Sequence, residues 1–206
     1  MQRFQLVMDD KNTKTESRLL ISELLTDPIV SPYMSRLQQE QPFTFRHSIN
    51  VAYLTAEICL NKSPENNVRD VVMGALLHDI GKLDIPLSIL TKTTQLTDEE
   101  FDTIKLHTIK GYELIKNEPL PQIAKDIILC HHEKPNGKGY PYHKSGDEIP
   151  NDAKIITVCD IYDALTEHRC YRPNIDYNAY EALKILVEQE NITDIVYLLL
   201  AFCSEK

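Results

Sequence analysis

Val71-Val72-Met73-Gly74-Ala75-Leu76-Leu77-His78-Asp79-Ile80-Gly81-Lys82-Leu83 is the stretch on which the reading of this chain turns. An apolar run ends in an adjacent His-Asp pair, and a glycine and a lysine follow at once. The pair offers an imidazole nitrogen and a carboxylate from one backbone corner, a donor set that suits divalent Zn, Fe, Mn, Ni or Co. The second oxygen of Asp79 allows it to bridge two ions. Lys82, four residues past the histidine, is in reach of a phosphate oxygen. A plainer reading also stands: a helix C-terminus with a polar tail and a glycine cap. Only partners elsewhere in the chain can separate the two.

Outward from that stretch the chain reads as helices. Toward the N-terminus, residues 1–14 are polar. Leu19, Leu20, Ile21, Leu24 and Leu25 recur at helical steps after Glu16, and Asp27-Pro28 stops that helix. A short helix with Val30, Met34 and Leu37 follows, closed by Pro42. The next starts near Thr44 and places His47, Val51 and Leu54 on one face. Ser63-Pro64 then predicts an N-cap and first turn for the helix that runs to His78-Asp79.

Toward the C-terminus, Ile85–Leu90 is an extended or single-turn connector. Thr97-Asp98-Glu99-Glu100 has the form of a capping box. It opens a helix with Phe101, Ile104, His107 and Ile109 that ends near Ile115. A further helix leads into Cys130-His131-His132-Glu133. Residues 134–150 form one long loop holding three of the six glycines, and a loop of that length beside a double histidine is read as functional. The helix after it carries Asp160 and Asp163 at i and i+3. Residues 177–190 and 191–202 complete the set as two more helices. With no convincing strand, repeat or low-complexity tract, the fold class is all-α, a helical bundle. Residues 1–40 are expected to be a short N-terminal helical extension and 41–206 the functional domain.

Bulk properties exclude several classes. The chain has 206 residues, 42% hydrophobic, with a net charge of -9. That balance disfavours a nucleic-acid partner, since duplex binding needs a basic face. No apolar run approaches the ~18 residues that span a bilayer, and no signal-peptide core opens the sequence; a cytoplasmic protein with no membrane partner is expected. Five scattered cysteines without a CxxC argue against a disulfide framework or a thiolate zinc site.

The decisive pattern is the histidines. Five of the seven (His47, His78, His107, His131, His132) fall on or at the end of an apolar helix. With Asp79 and Asp160 they make seven candidate ligands from five helices. Unpaired, so many buried polar groups would cost several kcal/mol in total. Shared between metal ions they would not. Seven ligands are too many for one ion with open positions and suit two ions bridged by Asp79. Two ions ~3.5–4 Å apart can clamp a phosphodiester and share a hydroxide nucleophile, so hydrolysis of a P–O bond is the reaction implied.

The order His47, His78-Asp79, His107, His131-His132, Asp160 resembles the HD superfamily of metal-dependent phosphohydrolases. Further stretches resemble its HD-GYP branch: Leu76–Lys82, Leu96–Glu100, His107–Glu113, Gly137-Lys138-Gly139-Tyr140-Pro141, and Asp160–Thr166 with Arg169, Tyr171 and Arg172. The resemblance spans residues ~30–185. It implies an HD-domain helical bundle with a long GYP loop, hydrolysing cyclic di-GMP to pGpG or GMP. By matching positions, His47, His78, Asp79 and Asp160 would hold one ion, and Asp79, His107, His131 and His132 the other. The ions would be iron or manganese before Zn, Ni, Co or Mg. Catalysis would fall to Asp79 and Lys82, with Lys82 on the scissile phosphate. Tyr140 would contact the nucleotide, Gly137 and Gly139 would shape the substrate loop, and Arg169 and Arg172 would bind phosphate or guanine. Asp163 is either a supporting acid behind a ligand or an exposed one.

Two departures matter. Three-metal members carry glutamate four residues before the first histidine; here Phe43 stands there, so two metals are expected. Asn136 replaces the usual aspartate before the first loop glycine. No sensory or receiver domain is expected ahead of the catalytic part. The rivals are another HD hydrolase acting on nucleotides or cyclic GMP-AMP, and a module that binds cyclic di-GMP without turnover. An interaction domain that uses the loop to meet a signalling protein is a third. A homodimer or such a signalling protein is the further partner expected.

Overall fold

A computed structural model describes residues 15–62 and 67–166, with Glu181, Ala182 and Lys184. In chain order the described helices are α1 (Thr15–Leu25), α2 (Val30–Glu40), α3 (Pro42–Lys62), α4 (Val68–Leu77), α5 (Leu87–Leu90), α6 (Asp98–Lys105), α7 (His107–Ile115), α8 (Gln122–Cys130) and α9 (Asn151–Thr166). A 3-10 helix, Ile80–Asp84, joins α4 to α5, and a shorter one, Gly146–Glu148, precedes α9. The described chain is all-α; its one β-type pairing is an isolated bridge between Asn136 and Ser145.

Helix α4 is the axis. Every residue from Val71 to Leu77 is buried, so the helix is apolar all round and belongs inside. Helices α3 and α8 pack along it most extensively, and α9 closes over both. Leu76, Leu77, Ile127, Ile128, Ile155 and Ile156 fill the space between them. Leu24 of α1 and Val30, Met34 and Leu37 of α2 enter the same core. The ends of α4 and α8 and the middle of α3 and α9 therefore converge on one region, and the histidines and acids sit there.

Two local outcomes differ from the sequence expectation. Pro42 opens α3 rather than merely closing α2, as suits a residue with no N–H to lose in a first turn. The helix expected over residues 98–115 is two helices broken at Leu106. At that break the His107 ring, through Nδ1–H, donates to the Ile104 carbonyl at 2.7 Å, so a side chain occupies an acceptor that a continuous helix would give to its backbone. The cap expected at Ser63 lies outside the described residues; the described part of that helix begins at Val68. The helices expected over 177–190 and 191–202 also lie outside them, apart from the three residues named above. The Thr97 capping box is present in both directions, with Glu100 N–H donating to Thr97 Oγ1 at 3.2 Å and Thr97 N–H to Glu100 Oε2 at 2.8 Å.

Candidate metal centre

At the corner after α4, the backbone turns from helix to 3-10 helix through Asp79, at φ -102°, ψ 6°. This is not a glycine-capped helix end. His78 and Asp79 are fully buried, and Gly81 is absent from the left-handed glycines. Gly81 is needed for another reason: a Cβ there would overlap the His107 carbonyl and the Gly111 amide. The 3-10 helix and α7 thus meet backbone to backbone, and His107 is held beside His78-Asp79.

The structure brings together all seven residues expected to hold metal. Within three groups, ligand atoms lie within 4.8 Å of one another: His47, His78 and Asp160; His78, Asp79 and His131; His107, His131 and His132. Asp79 stands between them. Its Oδ2 is 3.7 Å from His47 Nε2 and 3.4 Å from His78 Nε2, while its Oδ1 is 3.4 Å from His107 Nε2. His132 Nδ1 is 3.8 Å from Asp160 Oδ2.

Proton positions follow from the partners behind each ring. His78 Nδ1 faces the Ala75 carbonyl at 2.7 Å, His107 Nδ1 the Ile104 carbonyl, and His131 Nδ1 the Ile128 carbonyl at 3.0 Å. A carbonyl only accepts, so each Nδ1 carries the hydrogen and each Nε2 presents a lone pair. His107 Nε2 and His131 Nε2 then confront each other at 3.2 Å as two acceptors. His78 Nε2 and Asp79 Oδ1 are buried with no hydrogen-bond partner. Buried lone pairs aimed at one another, with the outer nitrogens of these three rings tied to the chain, are what a divalent cation needs and what an empty apolar core would not tolerate. The His/Asp clusters could bind metal ions.

Electrostatics agree. Burial pushes His107 down to about 3 and His132 to about 4, and holds His131 well below the ordinary range, with neighbouring histidines adding to the effect at His131. These rings are neutral and free to coordinate. Asp79 is buried, yet the Lys82 ammonium beside it holds its carboxyl well below the usual range. Asp160 is likewise held low against burial by its hydrogen bond to His47. His47 differs. Burial opposes its charge, but hydrogen bonds to Asp160 at 2.9 Å and Asp163 at 2.6 Å push it up to about 10. A proton on Nε2 holds the position that a cation would take between His47 and Asp160.

Asp163 is therefore the supporting acid of the two readings, and is buried. It accepts from His47 Nδ1 and, through Oδ1, from Asn50 Nδ2 at 2.9 Å. Asn50 was not singled out in the sequence; the signal was there as two i,i+3 pairs, His47 with Asn50 and Asp160 with Asp163, facing each other. Two more supporting residues had no such signal. Thr157 Oγ1 donates to the His131 carbonyl at 2.6 Å. Glu133, fully buried, accepts from the Tyr142 amide at 2.6 Å and the Lys144 amide at 3.0 Å.

Glu133 organises the long loop. Tyr140 N–H donates to the His132 carbonyl at 3.1 Å, and the Tyr140–Pro141 peptide is cis. A Cβ at Gly139 would overlap the Lys134 amide and the His132 carbonyl, so that position must be glycine, while Gly137 has φ +73°. The Tyr140 ring lies 4.8 Å from His132 and 6.3 Å from His107, centroid to centroid. Burial, with Asp160 and Asp79 nearby, raises its phenol, so it stays a donor.

Lys82 sends its ammonium to Asp79 Oδ2 at 2.6 Å, and Gln41 Nε2 donates to the Lys82 carbonyl at 2.5 Å. Arg169 and Arg172 lie outside the described residues. A cleft of about 860 Å³ reaches His47 and Lys82 from the side of α5 and α6, with Phe43 on its wall.

This helical scaffold with a histidine–aspartate cluster at its convergence defines a class. Residues 32–194 match the family model described as HD domain, and the chain belongs to that family. It is 32% identical over 169 residues to a cyclic di-GMP phosphodiesterase of Pseudomonas aeruginosa, covering 81% of this chain and 40% of that protein. Over 128 residues it is 36% identical to the 3'3'-cGAMP-specific phosphodiesterase 2 of Vibrio cholerae, covering 61% of this chain and 22% of the other. The chain spans less than half the length of these curated relatives. Among solved structures, the HD domain of the L. monocytogenes phosphodiesterase PgpH, in complex with cyclic-di-AMP, shares the fold at TM-score 0.63 and 22% identity. The match covers 84% of this chain and 96% of that one. No helix among the described residues is long and apolar enough to cross a membrane.

Proposed function

We propose that this chain is a metal-dependent phosphodiesterase that hydrolyses cyclic di-GMP to pGpG or GMP. The observation that carries the reading is the set of buried, inward lone pairs around Asp79. His47, His78, Asp79 and Asp160 would hold one ion, and Asp79, His107, His131 and His132 the second, iron or manganese in preference to zinc, nickel, cobalt or magnesium. Two divalent cations there would acidify water and offset the charge that builds on a phosphodiester in the transition state.

The chain's own residues would do the rest. Lys82, already ion-paired to Asp79, places a positive charge where the cleft meets the cluster and would bind a non-bridging phosphate oxygen. Tyr140, a half-buried and protonated phenol, would donate to the nucleotide and close that side against water. Gly137 and Gly139 let the loop lie close to the histidines, and Arg169 and Arg172 would take phosphate or guanine. The functional domain would start near residue 41, with residues 1–40 a short N-terminal helical extension. The protein would work in the cytoplasm, as a homodimer or with a signalling protein.

The likeness to a 3'3'-cGAMP-specific enzyme favours cyclic GMP-AMP as the second substrate to test. Chain loaded with Mn or Fe and incubated with cyclic di-GMP, cyclic GMP-AMP and pGpG should linearise at least the first, with about two ions per chain by metal analysis. Asp79→Asn should abolish turnover with helix content unchanged. One ion or none per chain, or no hydrolysis of any of the three, would refute the reading.

A further inference from the structure

The cleft beside the cluster is walled by two exposed aromatic rings that the proposed chemistry leaves without a task. Its volume of about 860 Å³ falls in the ~300–1,000 Å³ usual for small-molecule sites. Phe43 lines it from the first turn of α3 and Phe101 from α6. Phe43 is 45% exposed and Phe101 46%, although rings of this size are usually spent on burial. Phe43 lies four residues before His47, one turn along the same helix face.

Each ring is backed by a cation from its own helix. The Arg46 guanidinium lies 5.1 Å from the Phe43 centroid and the Lys105 ammonium 4.7 Å from the Phe101 centroid. With one face held this way, the remaining exposure belongs to the other face and the edge. Thr91, Thr93 and Thr94 add hydroxyls to the lining. Two of the charged lining residues are neutralised in place, Glu40 by Arg36 at 3.0 Å and Lys92 by Glu100 at 2.5 Å. Flat apolar rings, uncharged hydroxyls and a lysine at the inner end match a purine nucleotide. An acyl chain would make no use of the threonine hydroxyls, and a peptide would have no use for two presented ring faces.

We infer that Phe43 and Phe101 are base-stacking residues, holding the purines of a cyclic dinucleotide while its phosphodiester lies at Lys82. This rests on the phosphodiesterase reading for the identity of the ligand, and its test reads binding apart from turnover. The probe is a cyclic dinucleotide with 2-aminopurine in place of one guanine, mixed with the full chain by stopped flow so that stacking is seen as quenching before hydrolysis. The intact chain should quench it. Phe43→Ala and Phe101→Ala should each weaken binding roughly 5–100-fold, with kcat for cyclic di-GMP changed far less than KM.

Phe43→Tyr should restore affinity and Phe43→Leu, apolar but without a π face, should not; melting curves check that all four variants fold. No quenching by the intact chain, or equal affinity in the alanine variants, overturns the inference. Hydrolysis that does not depend on either ring would defeat stacking and leave the phosphodiesterase standing. Quenching without hydrolysis would do the reverse.

Discussion

Asp163 touches none of the inward lone pairs, yet it decides what His47 can do. Its carboxylate accepts from His47 Nδ1 at 2.6 Å and is itself steadied by Asn50. A carboxylate behind a ligating imidazole fixes the tautomer and raises the basicity of the other nitrogen. Asp163→Ala should therefore keep the fold but weaken metal uptake by about 10–100-fold, read by competition with a chelator of known affinity. Unchanged uptake would show that His47 is oriented by packing alone. Asp163 illustrates what was legible in the sequence. The seven inward residues stood out because histidines at the ends of apolar helices are conspicuous. Supporting residues are ordinary acids, amides and hydroxyls, and their role appears only when α3 and α9 face each other. Glu133 stood in the run after the double histidine, but its role was hidden, because its partners are backbone amides 9 and 11 residues away, which no side-chain pattern records.

At the scale of elements, two junctions set the site. The first is the crossing of the 3-10 helix and α7 at Gly81. Gly81→Ala would push a methyl into the His107 carbonyl; overpacking of this kind costs about 1–3 kcal/mol, at about 2–4 °C per kcal/mol for a chain of this size. The melting temperature should fall by several degrees and metal content should fall with it, since His107 moves with α7. A stable, fully loaded variant would contradict the crossing. The second junction is the Glu133 anchor of the loop. Glu133→Gln leaves one oxygen for two amides and turns the other position into a donor. Limited proteolysis should then cut within residues 134–150 several times faster, with helix content unchanged. Of the elements themselves, α1, α2, α8 and α9 follow their apolar periodicity, and α4 its unbroken apolar run. The break at Leu106 could not be foreseen, because Phe101, Ile104 and Thr108 keep a helical spacing through it and the interruption comes from a histidine ring taking a backbone acceptor.

For the whole molecule, the histidines make metal-free stability depend on pH in two directions. His47, pushed up to about 10 from about 6.5, binds its proton more tightly when folded. Its contribution is full below pH ~6.5 and is lost as pH rises toward 10. His107 and His132, pushed down to about 3 and about 4, are neutral when folded. Their contribution is full above pH ~6.5 and is lost as pH falls. Asp79 and Asp160, held low, contribute above the ordinary carboxylate range near ~4 and steepen the acid side. Thermal melts in chelator should therefore peak near pH 6–7 and decline on both sides; a melting temperature that climbs steadily to pH 9 would show that His47 is not held as a cation. With metal the alkaline decline should vanish, because uptake releases that proton.

The rings of His78, His107 and His131 are each moored to a carbonyl three residues back along the chain. Their rotamer freedom is therefore surrendered when the helices form, not when an ion arrives. Metal capture should then carry little ordering cost: calorimetry would find an entropy dominated by water leaving the ion, and far-UV spectra of the two forms should nearly superimpose. A chain built this way can lose its ion and take another without passing through an unfolded state, so the identity of the bound metal would follow its supply in the cell.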